Sequence, residues 1–151
     1  MVDVHTKKQR SYNMSRIKGS NTKPELLIRR ALFAKGFRYC LHRKDLPGKP
    51  DLTFPKYKAV IFINGCFWHY HECELFKMPA TRRKWWKGKL TRTRERDREH
   101  ITNLLDAGWR VLTVWECAFR GRGKTQNDFD KTIASITKWL RSGIRQKQLQ
   151  S

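Results

Sequence analysis

Acidic residues are scarce in this chain. Its 151 residues include 13 Asp and Glu against 34 Lys and Arg, a formal net charge of +21 at pH 7. Repulsion on that scale calls for a polyanionic partner, and nucleic acid is the commonest one. Long apolar runs are also missing. The longest, Ala59 to Ile63, is too short to cross a bilayer, so no membrane association is expected. No apolar N-terminal stretch resembles a signal peptide, so export is not expected either. Cysteine is limited to four residues. In a reducing cytoplasm these are read as thiols open to metal binding rather than as disulfides. What the chain does have is 38% hydrophobic residues, enough for a core, and 12% aromatics, too many for a disordered basic tail. The length suits one domain.

Residues 1–20 are polar and basic with little periodicity, and read as an arm ordered by a partner or as a frayed terminus. Thr22 and Glu25 have the spacing of a capping box, with Pro24 tolerated in the first turn. The helix they open carries Leu26, Leu27, Ala31, Phe33 and Ala34, and Gly36 ends it. Phe37, Tyr39 and Leu41 alternate with Arg38, Cys40 and His42, the period of a half-buried strand, with Cys40 as a small core residue. After the turn-rich Leu46–Pro50 come a short strand at Asp51–Phe54 and a buried one at Ala59–Ile63. Residues 64–81 show no period. Residues 82–107 read as a helix, 109–115 as a second buried strand, and Phe129, Ile133, Ile136 and Leu140 mark a last helix. The polar tail after Gly143 is expected to be loose. The order is α-β-β-β-α-β-α, a mixed sheet flanked by helices, with arm 1–20, domain 21–142 and tail 143–151. Strands 59–63 and 109–115, joined by a helix, are expected to be parallel neighbours.

That topology makes a metal site legible. Cys66, His71 and Cys73 cluster just past one strand, and Cys117 lies just past the other. Three thiolates and one imidazole form the donor set of a closed structural zinc site. The alternative is three buried cysteines and a surface histidine. A zinc staple suits an irregular loop with few apolar anchors of its own.

The stretch Arg82–Arg98 holds nine Lys or Arg, and Trp85 and Trp86 lie inside it. Phe67, Trp68, Tyr70 and Phe76 precede it. Cations hold phosphates, while flat rings replace lost base stacking in kinked or unstacked nucleic acid. Phe67 and Trp68, beside a metal ligand, are the candidates for an inserted wedge. Phe76 and Trp85 suit packing around the loop equally well. Asp51 at a strand start, Glu25 on a helix and His69 in the aromatic loop suit a magnesium ion and a water held against a phosphodiester. Singly, each also reads as a turn residue, a cap and a surface group.

The segments Pro47-Gly-Lys-Pro-Asp51, Val60-Ile-Phe-Ile-Asn-Gly-Cys66-Phe-Trp-His69-Tyr-His71-Glu-Cys73, Phe76-Lys-Met-Pro-Ala-Thr81, Glu95-Arg-Asp-Arg98 and Gly108-Trp-Arg-Val-Leu-Thr-Val-Trp-Glu-Cys117 strongly resemble the very short patch repair (Vsr) endonucleases. The resemblance runs from the arm to about Arg120. It implies a restriction-endonuclease-like core and a magnesium-dependent enzyme. Such an enzyme nicks one strand of double-stranded DNA 5′ of the thymine in a T:G mismatch, the product of 5-methylcytosine deamination. It implies Asp51 as magnesium ligand, His69 as general base, and Glu25 and Asp97 as supporting acids. Zinc would be held by Cys66, His71, Cys73 and Cys117. Phe67, Trp68 and Trp86 would intercalate, Met14 would reach the other groove, and Lys89 and Arg120 would read bases. The chain departs from the pattern at Asn64, where many relatives carry His. At Ile63 only the backbone carbonyl is available to a metal. The acidic-x-Lys half of the wider nuclease motif is absent. A monomer in the bacterial cytoplasm, associated with the nucleoid and aided by mismatch-repair helper proteins, is expected. The competing readings are a zinc-stapled DNA binder without catalysis and a related nuclease with another DNA target.

Overall fold

The computed structural model describes residues 21–151, so the arm and Met14 lie outside the described residues. Helix α1 (Lys23–Ala34) is followed by β1 (Cys40–Leu41), β2 (Leu52–Phe54), β3 (Ala59–Asn64), the long helix α2 (Arg83–Asp106), β4 (Arg110–Trp115), α3 (Gln126–Leu140) and β5 (Gln146–Leu149). The strands form one sheet in the order β1-β2-β3-β4-β5. The first two pairings are antiparallel, and β3–β4 and β4–β5 are parallel.

Alternation along the central strands sorts side chains between two layers. Ile61 and Ile63 of β3, with Leu112 and Val114 of β4, pack against Ile28 and Leu32 of α1 and Ile133, Ile136 and Leu140 of α3. Val60 and Val111 face the other way, onto Leu104 of α2. Helices therefore cover both faces, as near-continuous apolar central strands require.

Four local expectations are corrected. Thr22 makes no side-chain cap bond. Glu25 is instead drawn inward, where its Oε1 accepts from the Asn21 N–H at 3.1 Å. The strand at 37–41 shrinks to two residues, because Phe37 turns into the core against Phe54 before the ladder begins. Cys40 is exposed, since it lies on an edge strand away from the core. The tail is not loose: Gln146–Leu149 adds β5 beside β4. A backbone ladder needs no apolar side chains, and so hydropathy gave no sign of it.

The turn before β2 is tightly specified. Gly48 has φ +75°, and a Cβ there would lie 2.9 Å from His100 Cβ and 3.1 Å from Phe62 Cζ. Lys49 follows with φ +49°. This left-handed pair delivers Asp51 to the end of β2 nearest Ile63.

Candidate active site and metal centre

The β3–β4 register places Asn64 opposite Trp115. Two residues further on, Cys66 and Cys117 leave the sheet at matching positions. The loop after β3 returns His71 and Cys73 to the same corner. One donor atom from each of Cys66, His71, Cys73 and Cys117 lies within 4.8 Å of all the others. Cys117 Sγ and His71 Nδ1 are 3.6 Å apart. Zinc bonds of about 2.3 Å to sulfur and 2.0–2.1 Å to nitrogen, at a tetrahedral angle, put S and N about 3.6 Å apart. The residues therefore fit a tetrahedral metal. Burial pushes the Cys66 thiol pKa up. At Cys117 burial acts the same way but is outweighed by the Ser151 N–H and the neighbouring Cys66 and Cys73 thiols, so its pKa is lowered.

The opposite flank of the β3 terminus holds the carboxylates. Asp51 Oδ2 accepts the Ile63 N–H at 2.7 Å. Glu25, only 1% exposed, accepts from Arg29 Nη1 at 2.9 Å. His42 Nε2 lies 3.0 and 2.9 Å from its two oxygens. Glu25, His42 and Asp51 each present a donor atom within 4.8 Å of the others. Burial pushes the Asp51 carboxyl up to about 7; the Ile63 N–H opposes this, the Glu25 charge adds to it, and His42 opposes it. Arg29 offsets only one of the two carboxylates that share this desolvated corner, and a hard divalent cation would relieve their mutual repulsion. The donors fit such an ion.

Next to Ile63, Asn64 lines a cleft of about 250 Å³ together with His69, Asp97, Arg94 and Arg98. His69 Nδ1 is 2.6 Å from Asp97 Oδ2. With that nitrogen engaged, Nε2 is the atom free to take a proton. Thus Asp51 is bonded to Ile63, and the His69–Asp97 pair shares a cleft with the next residue, Asn64, at the end of β3.

The aromatic residues interlock. Phe67 meets Trp68 edge-on at 5.0 Å, Trp86 at 5.3 Å and Phe76 in a stack at 5.9 Å. Trp68 and Trp86 are 5.8 Å apart. Phe76 is thus part of the packing, stacked also on Tyr70 at 5.3 Å. Trp85 is 42% exposed, flanked by Arg82 and Lys89 over its ring. Arg120 is exposed and paired with Glu116 at 3.1 Å. His42 was missed in the sequence. Its signal is a histidine directly after the short strand that pairs with β2, where its backbone N–H donates to the Asp51 carbonyl at 3.2 Å.

A mixed sheet covered on both faces by helices, with an acidic cluster at the ends of its central strands and a Cys3His corner beside it, defines a restriction-endonuclease-like protein. The comparisons narrow the class. A family model described as DNA mismatch endonuclease Vsr matches residues 2–75. The chain is 46% identical to the DNA mismatch endonuclease Vsr of Escherichia coli K12 over 128 residues, 85% of this chain and 82% of that one. It is 41% identical to the type II nicking enzyme V.XorIIP of Xanthomonas oryzae, over 82% of this chain and 90% of the relative. It is 38% identical to V.NmeAIP of Neisseria meningitidis, over 90% and 97%. The chain belongs to the Vsr family of DNA endonucleases.

Proposed function

We propose that this enzyme cuts one strand of double-stranded DNA 5′ of the thymine in a T:G mismatch, opening very short patch repair of deaminated 5-methylcytosine. The observation that carries the proposal is the 2.6 Å His69–Asp97 pair in the cleft lined by Asn64, with Asp51 bonded to the preceding residue Ile63. The relatives, a mismatch endonuclease and two nicking enzymes, support the reaction type.

In this reading Asp51 and Glu25, with the Ile63 carbonyl, hold magnesium, which when bound supplies Lewis-acid polarisation of the phosphodiester. His69 Nε2 takes the proton of the attacking water as its oxygen bonds to phosphorus, and the P–O bond to the leaving sugar oxygen breaks, that oxygen taking a proton from solvent water. Asp97 holds His69 in the tautomer that leaves Nε2 basic and stabilises the imidazolium that forms. Asn64 orients water or phosphate in the same cleft. The corner of Cys66, His71, Cys73 and Cys117 holds zinc as a staple, since thiolate-rich tetrahedral sites favour it. Phe67, Trp68 and Trp86 enter the base stack at the mismatch, where stacking is already weakened. Lys89 and Arg120 contact bases, and Met14 on the arm reaches the other groove. The protein acts as a monomer on cytoplasmic, nucleoid DNA, and helper proteins of mismatch repair follow it. No helix among the described residues is long and apolar enough to cross a membrane.

Paired oligonucleotide duplexes, T:G against C:G, with and without magnesium, test the reading. A single-strand cut on the T:G duplex alone, requiring magnesium, is expected. Tight binding without cutting would mean a non-catalytic binder, and cutting of C:G would mean a nuclease with another target.

A further inference from the structure

We propose that the C-terminal segment from Gln146 to Ser151 clasps the Cys3His centre, with Gln150 as the positioning residue that orients His71 towards the metal. The proposal rests on the reading of that corner as a zinc centre. Hydrophobic burial explains the docking of this segment only at Leu149, which packs partly covered against the core, while Gln146, Lys147 and Gln148 are exposed. Its backbone pairs in parallel with β4 from Val111 to Val114. Its remaining polar contacts converge on one place.

Gln150 Oε1 lies 2.6 Å from His71 Nε2. The Ser151 N–H points at Cys117 Sγ over 3.5 Å. Gln148 Oε1 accepts the Trp115 indole N–H at 2.7 Å. Trp115 in turn stacks on the His71 ring, centroids 4.1 Å apart and planes 11° off parallel. Two ligands of the centre and the ring that backs one of them are therefore held from one six-residue segment, Gln146 to Ser151.

A neutral imidazole has one N–H and one lone pair. An amide oxygen at Nε2 accepts a proton and offers none, so the N–H belongs at Nε2 and the lone pair at Nδ1. Nδ1 is the atom 3.6 Å from Cys117 Sγ, on the ligand side. Partners of this kind fix the tautomer and ring angle of ligating histidines, and losing them typically lowers metal affinity 10–100-fold. The Ser151 N–H stabilises thiolate charge on Cys117 in the same sense. Because the loop that carries His71 also carries Phe67 and Trp68, the clasp ties the aromatic cluster to the far edge of the sheet.

The test is zinc release from the full chain into excess chelator, followed with a zinc dye, together with the visible spectrum of the cobalt-substituted protein. Gln150→Leu should release zinc roughly 10-fold faster or more and shift the cobalt bands. Gln150→Glu keeps an acceptor at the same place and should restore both readouts. Gln146→Leu, on the same strand but without a side-chain contact to the centre, should behave as wild type. Wild-type rates and spectra in Gln150→Leu would overturn the clasp while leaving the zinc centre standing. Equal acceleration in Gln150→Leu and Gln150→Glu would overturn the orienting role. A wild-type protein isolated without tightly held zinc would remove the centre, and the clasp with it.

Discussion

His69 and Asp97 come from segments far apart in the chain, yet Nδ1 and Oδ2 are 2.6 Å apart. The aromatic loop supplies the imidazole and α2 supplies the carboxylate. Asp97→Asn retains the shape but lets an amide N–H face Nδ1, which favours the tautomer with its proton on Nε2. Single-turnover nicking of a T:G duplex should then fall by about 10²–10⁴-fold, the usual scale of general acid–base catalysis, with DNA affinity nearly unchanged. An undiminished rate would remove Asp97 from the proton-transfer assembly.

Asp51 carries a pH signature. Its carboxyl titrates at about 7 against an ordinary 3.8, chiefly because of burial. Between those values the folded protein holds a proton that the unfolded chain has lost. Metal-free stability should therefore decline as pH rises from about 4 to about 7, and the decline should be complete above that. Asp51→Asn still accepts from the Ile63 N–H but no longer ionises. Without divalent metal it should melt higher than wild type at pH 8, and the two should converge near pH 4. Calorimetry across that range measures this. Asp51→Ala should abolish cleavage while DNA binding persists, and a variant that still cuts would end the catalytic assignment.

Interlocking of Phe67, Trp68 and Trp86 makes the aromatic cluster a single body rather than one protruding wedge. Trp68→Ala should weaken binding to a T:G duplex by about 1–3 kcal/mol, and matched duplex by less. Because Trp68 and Trp86 touch, the double alanine variant should cost clearly less or more than the sum of the singles. Equal losses on both duplexes would argue against discrimination by insertion.

Asn64 is 7% exposed and lines the same cleft as His69 and Asp97. An amide there donates and accepts hydrogen bonds but carries no proton to and fro near neutrality. Since His69 and Asp97 already provide a base and its support, Asn64→His should change the nicking rate by less than about tenfold, roughly 1.4 kcal/mol of barrier. A gain of several hundredfold would mean that the native chain lacks a needed proton-transfer group.

The excess of cations, the apolar run of β3 and the helical spacing of α3 are local properties, and the sequence alone determined the elements they build. Parallel pairing of β3 and β4 followed from the helix between them, and with it the meeting of Cys66, His71, Cys73 and Cys117. A strand pair leaves the sheet at one edge whatever its side chains do. Only the tertiary structure decided the fate of Glu25. As a cap it would have faced solvent, but its same-helix neighbour Arg29 and, from the end of β1, His42 are charge-assisted partners inside, and His42 is there only because the chain folds back onto α1. It also decided β5. That strand and the two residues after it are held by backbone pairing, by Leu149 against the core, and by Gln148, Gln150 and Ser151 reaching Trp115, His71 and Cys117. Hydropathy records where apolar surface must be buried; it carries no information about a polar strand whose partners exist only once the sheet edge and the metal corner have formed.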